Sequence, residues 1–294
     1  MFFTEDRNMT NSIGLDLHLD PGLPKQTEYR HFSKELLRKK VGRDKELTPY
    51  TSVDSKYRIN PDLLAVYDFK KEPLLGKYQS VLIDRERGII LSKRGSKAHF
   101  YYFLKHKLIS GLAFQKAIDQ RLHYRRYHVI STEKRAYFSI HGYTDGCTDW
   151  VALHLMDDYQ LSGSHAIKFS ALKINDLDYS FTFDNCSRHI RSELTEGLRH
   201  NNLVFKVLQY HLEDTMGWSI YRLRGKEKSL LDKQEYFTPA PTIAFFTMQE
   251  VCADLKRQKY LWYGQTMAEY FQLNFLERDH QLIFHLSQRG DNIY

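Results

Sequence analysis

From Leu63 onward the chain is cut into apolar runs of strand length, each closed by charged or turn-forming residues. No other feature restricts so strongly what it can fold into. Val81-Leu82-Ile83 and Ile89-Ile90-Leu91 flank Asp84-Arg85-Glu86-Arg87-Gly88, the pattern of a β-hairpin. Phe100 to Leu104 reads as a further aromatic run. Ala136 to Ile140 and Trp150 to Met156 read as strands, the latter with Val151, Leu153 and Leu155 alternating with Trp150, Ala152 and His154. Ile167 with Phe169, then Tyr179 to Phe183, complete a β-rich middle in which Trp150, Phe169 and Phe183 are expected in the core. Past Cys186 the period changes: Ile190, Leu194 and Leu198, then Val204, Leu208 and Leu212, recur at helical spacing, with an interruption expected at Asn201-Asn202. Beyond Pro239-Ala240-Pro241, Thr247 with Glu250 forms a capping box ahead of Val251 and Leu255, a helix is expected over 265–277, and 281–286 is strand-like.

The predicted fold class is therefore α+β, a β-rich mixed core followed by a helical C-terminal region. Residues 1–61 read as a weakly structured N-terminal arm, 62–215 as the β-rich core with its closing helix, and 216–294 as a helical extension. Within the arm, the charged run from Lys34 to Glu46 holds one short amphipathic helix on Leu36, Leu37 and Val41.

Composition excludes several classes. With 42% hydrophobic residues, 20 Tyr and 18 Phe, general disorder is ruled out. No stretch approaches the roughly 18 consecutive apolar residues of a membrane span, and no secretory leader opens the chain, so no membrane contact is expected. Three widely spaced cysteines (Cys147, Cys186 and Cys252) do not make a disulfide framework, which points to a cytoplasmic location.

The net charge of +7 is modest, but it is concentrated. Between Lys70 and Arg135 sixteen Lys and Arg face five acids, so this window carries more positive charge than the whole chain. Two clusters stand out: Lys93-Arg94 with Lys97, and Arg121 with Arg125-Arg126, interleaved with His123, Tyr124 and Tyr127. These six cations are the candidate DNA-binding residues. Clusters of this kind neutralise phosphates, while Gly95 and Ser96 would let the backbone approach one closely. Arginine also enters narrow A·T-rich minor grooves, and aromatic neighbours stack on unpaired bases, so spacing alone leaves duplex and single strand open.

Catalytic signatures are few. The phosphate-loop, dinucleotide, zinc-protease and serine-hydrolase motifs are absent, and no cofactor is implied. The histidines at 99, 106, 123 and 128 read mainly as partly exposed polar rings. Cys147 lies near His141 and His154 in sequence, but a nucleophile–base pair is built by the fold rather than by sequence proximity, so Cys147 reads first as a core or loop thiol. Asp157-Asp158 with a histidine would hold a metal in a nucleic-acid-processing enzyme, the rival reading, and His200-Asn201-Asn202 matches a fragment of a nuclease signature. A third reading is a protein-interaction module built on Tyr260, Trp262, Tyr263, Tyr270 and Phe271.

From about Val81 to Leu198 the chain resembles the competence transcription factors of the ComK family. The landmarks are the basic segment Arg121 to Val129, Tyr137-Phe138-Ser139, Cys147 followed by Trp150-Val151-Ala152-Leu153-His154, Ile167-Lys168-Phe169-Ser170, and Ser180 to Leu194. The chain departs from that pattern in lacking a proline after Phe138 and in placing two residues between Cys147 and Trp150. The resemblance implies a transcriptional activator that binds double-stranded, A·T-rich DNA through the minor groove. It further implies homo-dimers assembling into tetramers, and control by a proteolytic adaptor.

Overall fold

The computed structural model describes residues 22–107, 111–121, 128–132, 135–142, 148–163, 165–219, 228–236 and 248–270. Among these residues eleven strands form two sheets. The larger is built from β2 (Thr51–Val53), β3 (Leu63–Asp68), β4 (Ser80–Asp84), β5 (Gly88–Ser92), β6 (Val129–Ser131), β7 (Ala136–Ser139) and β8 (Trp150–Ala152), in the order β2-β5-β4-β3-β8-β7-β6. The smaller holds β1 (His31–Phe32), β9 (Met156–Ser162), β10 (Ala166–Ala171) and β11 (Ser180–Phe183), in the order β1-β11-β10-β9. The pairings are antiparallel except β2 with β5 and β1 with β11. The α+β class read from the sequence holds.

The central strands are apolar along their whole length because both faces of the large sheet are covered. Every residue of β3, β4 and β5 is buried. On one face Leu64, Tyr67, Val81, Ile83, Phe138 and Val151 meet Phe32, Phe169, Phe181 and Phe183 of the small sheet and Ile190, Leu194 and Leu198 of the long helix. On the other face Val66, Leu82, Ile90, Tyr137 and Trp150 pack against Phe100 and Phe103. The small sheet is covered on one face only, and β10 alternates accordingly, with Ile167, Phe169 and Ala171 inward.

The hairpin joins β4 to β5 as expected. Asp84 Oδ1 accepts the backbone N–H groups of Glu86 and Arg87, and Gly88 has φ +75° with Tyr50 and Gly22 carbonyl oxygens 2.5 and 2.7 Å from where a Cβ would sit. Only glycine fits there.

Among the described residues five α-helices accompany the sheets: α1 (Lys34–Lys40), α2 (Ser96–Lys107), α3 (Gly111–Arg121), α4 (Ile190–Met216) and α5 (Met248–Tyr270). Four sequence expectations are corrected. The described part of the N-terminal arm is integral to the fold: Leu23, Tyr29, Phe32, Leu37, Val41 and Leu47 are buried, and β1 and β2 each close a sheet edge. Short local runs gave no sign of this, because each gains its stability from a distant strand. The aromatic run 100–104 is helical, since Phe100 and Phe103, three apart, share one buried face while Tyr101 is exposed. Helix α4 is continuous through Asn201-Asn202; these amides are buried, and Ser131 donates to Asn201 Oδ1. Finally, α5 runs unbroken from Met248 to Tyr270, covering the start of the helix expected over 265–277. Thr247 and residues 271–294 lie outside the described residues.

Candidate functional site

The described cations that the sequence singled out fall in two places. Lys93 and Arg94 occupy the turn after β5 and Lys97 the first turn of α2, and all three are exposed. This turn is rigid. Ser80 Oγ donates to the Arg94 carbonyl (2.6 Å), Ser55 Oγ accepts the Lys93 N–H (2.9 Å), and His99 Nε2 lies 2.9 Å from Ser92 Oγ. His99 is therefore buried rather than a partly exposed ring, and burial holds its pKa below the usual histidine range.

The start of α2 is held from below by acid. Both the N–H and the hydroxyl of Ser96 donate to Asp68 Oδ2, at 3.1 and 2.6 Å. The sequence placed this backbone close to a phosphate, but the Ser96 donors are already engaged and Ser96 is fully buried. Asp68 in turn donates its N–H to Asp149 Oδ1 (2.7 Å), and Lys34 pairs with the same oxygen at 2.8 Å. Burial still pushes the Asp149 carboxyl above the usual carboxylate range.

Above this buried network the surface is cationic. No acid occurs in the sequence between Glu86 and Asp119, and the exposed side of α2 carries Lys97, Tyr101, Lys105 and His106. Arg58, from the loop ahead of β3, lies with its guanidinium 3.4 Å from the Tyr102 ring centroid. Among the described residues, Lys93, Arg94, Lys97 and Lys105 have no side-chain ion pair, whereas nearby Arg87 is engaged by Asp54 at 3.0 Å. The buried side of α2 fixes this surface in place: Phe100 stacks on Trp150 with centroids 3.9 Å apart, and Phe103 meets Tyr137 edge-on at 5.4 Å. The sequence signal for Tyr101 and Lys105 was present only as composition, since helical phase is what puts them beside Lys97; Arg58 reaches Tyr102 from a loop and carried no signal.

Arg121 is in the second place. At the end of α3 its guanidinium meets Asp254 (2.7 Å) and Glu250 (3.3 Å) of α5, so it ties two helices together instead of standing free. Arg125 and Arg126 lie outside the described residues, as do His123, Tyr124, Tyr127 and Cys147.

The catalytic candidates are scattered. Asp158 pairs with Lys233 at 2.9 Å, and among the described residues no three His, Cys, Asp or Glu side chains converge as a metal site requires. His200 is 1% exposed with Nδ1 2.5 Å from Asp119, which places 200–202 in the packing between α3, α4 and β6. His154 contacts the Ala136 and Pro61 carbonyls, and burial lowers its pKa to about 4. Cys186 is buried, with its thiol pushed up to about 12, and is no nucleophile. A cleft of about 640 Å³ on the small sheet is lined by His31, Lys168, Lys173 and Lys228, but Asp157 and Asp178 line it too, so it lacks the single sign of the α2 surface. In α5, Tyr270 is exposed and Tyr260 half-buried. No described helix is long and apolar enough to cross a membrane.

No protein-family model matches the chain, and comparison with curated proteins and with solved structures likewise gave no match.

Proposed function

We propose that the protein is a DNA-binding transcriptional regulator of the kind its sequence resembles, the competence transcription factors, and that it works in the cytoplasm as a homo-oligomer on A·T-rich duplex DNA. The observation that carries this is the exposed surface of the turn before α2 and the outer side of that helix, where Lys93, Arg94, Lys97 and Lys105 stand without acidic partners among the described residues. A folded chain gains nothing from unpaired like charges in one place, whereas a polyanion releases counterions on meeting them. In this reading Lys93, Arg94 and Lys97 bind phosphates, and Arg125 and Arg126 add the charge that their sequence cluster supplies. Arg121 contributes by holding α3 to α5.

The test is fluorescence anisotropy on an A·T-rich and a G·C-rich duplex of equal length across a salt series. Tighter binding to the A·T-rich probe is expected, with affinity falling steeply as salt rises. The variant K93A/R94A/K97A should lower the slope of log affinity against log salt by about 2 to 3, close to 0.9 for each phosphate that is no longer neutralised. Equal weak binding to both probes, with a slope unchanged in the variant, refutes the proposal.

A further inference from the structure

The exposed side of α2 holds chemistry that phosphate binding leaves unused. Its side chains form two rows, Lys97-Tyr101-Lys105 and Ala98-Tyr102-His106, with members about 6 Å apart along the axis at 1.5 Å per residue. In the second row Tyr102 is occupied: Arg58 covers its ring at 3.4 Å and the His106 ring lies 4.2 Å away. Tyr101, in the first row, is 65% exposed and has no ring or ionic contact among the described residues. Helical phase turns Tyr101 away from the face that buries Phe100 and Phe103, so its ring takes no part in the core.

An aromatic ring held in water between two lysines suits a ligand that is flat, π-rich and flanked by negative charge. A nucleobase between its two phosphates has that chemistry. In an intact duplex the base faces are hidden in the stack, and a side-chain ring reaches one only when the base has left it. We infer that Tyr101 is a stacking platform for one unstacked base, with Lys97 and Lys105 on the phosphates to either side. The DNA held on α2 is then single-stranded or locally opened. This rests on the nucleic-acid reading above and refines it, because TA steps, frequent in A·T-rich DNA, are among the most easily unstacked.

Three probes separate the possibilities: an A·T-rich duplex, the same duplex with a three-nucleotide bubble, and one of its single strands. The wild-type protein should bind the bubble and the single strand at least about five-fold more tightly than the duplex, the scale of one stacked base. Y101A should abolish that difference with the salt slope unchanged, and Y101W should restore it. K97A should instead lower the slope by about 1. Equal affinity for duplex and bubble, or a Y101A protein that keeps the difference, overturns the platform while leaving phosphate binding intact. Failure to bind any of the three probes removes the nucleic-acid reading itself, and the platform with it. Because Tyr101 is exposed, the variant is expected to fold, which its circular dichroism spectrum checks.

Discussion

Removing the Phe100 ring tests how the basic surface is anchored. Phe100 is 1% exposed, stacks on Trp150 at 3.9 Å and 22°, and meets Tyr137 edge-on at 5.5 Å. Deleting a buried phenyl ring costs about 3–5 kcal/mol, of which about 0.5–1.5 belongs to the aromatic pairing itself. The two-ring geometry and near-complete burial keep F100A off the low end of that range, at about 4 kcal/mol. For a chain of this size each kcal/mol lowers the midpoint temperature by about 2–4 °C, so a fall of about 10 °C is expected. The assays are urea unfolding followed by circular dichroism, and amide exchange along 96–107. F100L keeps most of the volume and should lose less than about 2 kcal/mol. The exchange data carry the mechanism. Apart from Phe103, the buried His99, the Asp68 cap and the Arg58–Tyr102 contact, Phe100 is the main anchor of α2, so protection there should fall at least as much as global stability. A loss below about 1 kcal/mol in F100A, or unchanged protection of α2, would mean that this helix is held by something other than the Phe100 stack.

Two further outcomes are expected. The double variant E250A/D254A frees Arg121 and should speed amide exchange in α5 about five-fold, matching the roughly 1 kcal/mol of a partly exposed ion-pair network; unchanged exchange refutes the tether. His154, with its pKa lowered to about 4 by burial, is neutral in the folded state while an unfolded histidine protonates near 6.5. The unfolded chain thus binds the extra proton, and stability falls as pH drops from 6.5 toward 4, by at most about 3 kcal/mol and by less because the ring retains some solvent contact. H154Q should flatten this acid limb in pH-resolved thermal melts, and an identical limb in the variant would show that other groups carry it.

The strands were legible in the sequence wherever pattern and length agreed. The hairpin around Asp84 to Gly88 follows from two apolar triplets and a charged turn. The burial of Trp150, Phe169 and Phe183 follows from their places in strand-length runs. Helix α4 was legible from its period, but its continuity was not. Asn is an unfavourable residue in a helix interior, and here a buried bond from Ser131 supplies Asn201 with the partner that the sequence does not show. The run 100–104 was ambiguous because aromatic residues favour strands and five residues fit either period. The Asp68 cap on Ser96 and the ring of Trp150, distant in sequence, decide for the helix.

The sequence by itself determined the excess of positive charge between Lys70 and Arg135 and the β-rich character of the middle, since both are properties of composition and short-range order. Tertiary structure alone decided which cations face solvent together. Arg121 and Lys97 look alike in the sequence, yet Asp254, 133 residues away, occupies one while the other stands beside Tyr101 with no acid paired to it. The physical reason is that a side chain's charge is local but its partner is not: long-range packing places the carboxylates, and so selects which cations are left for a ligand.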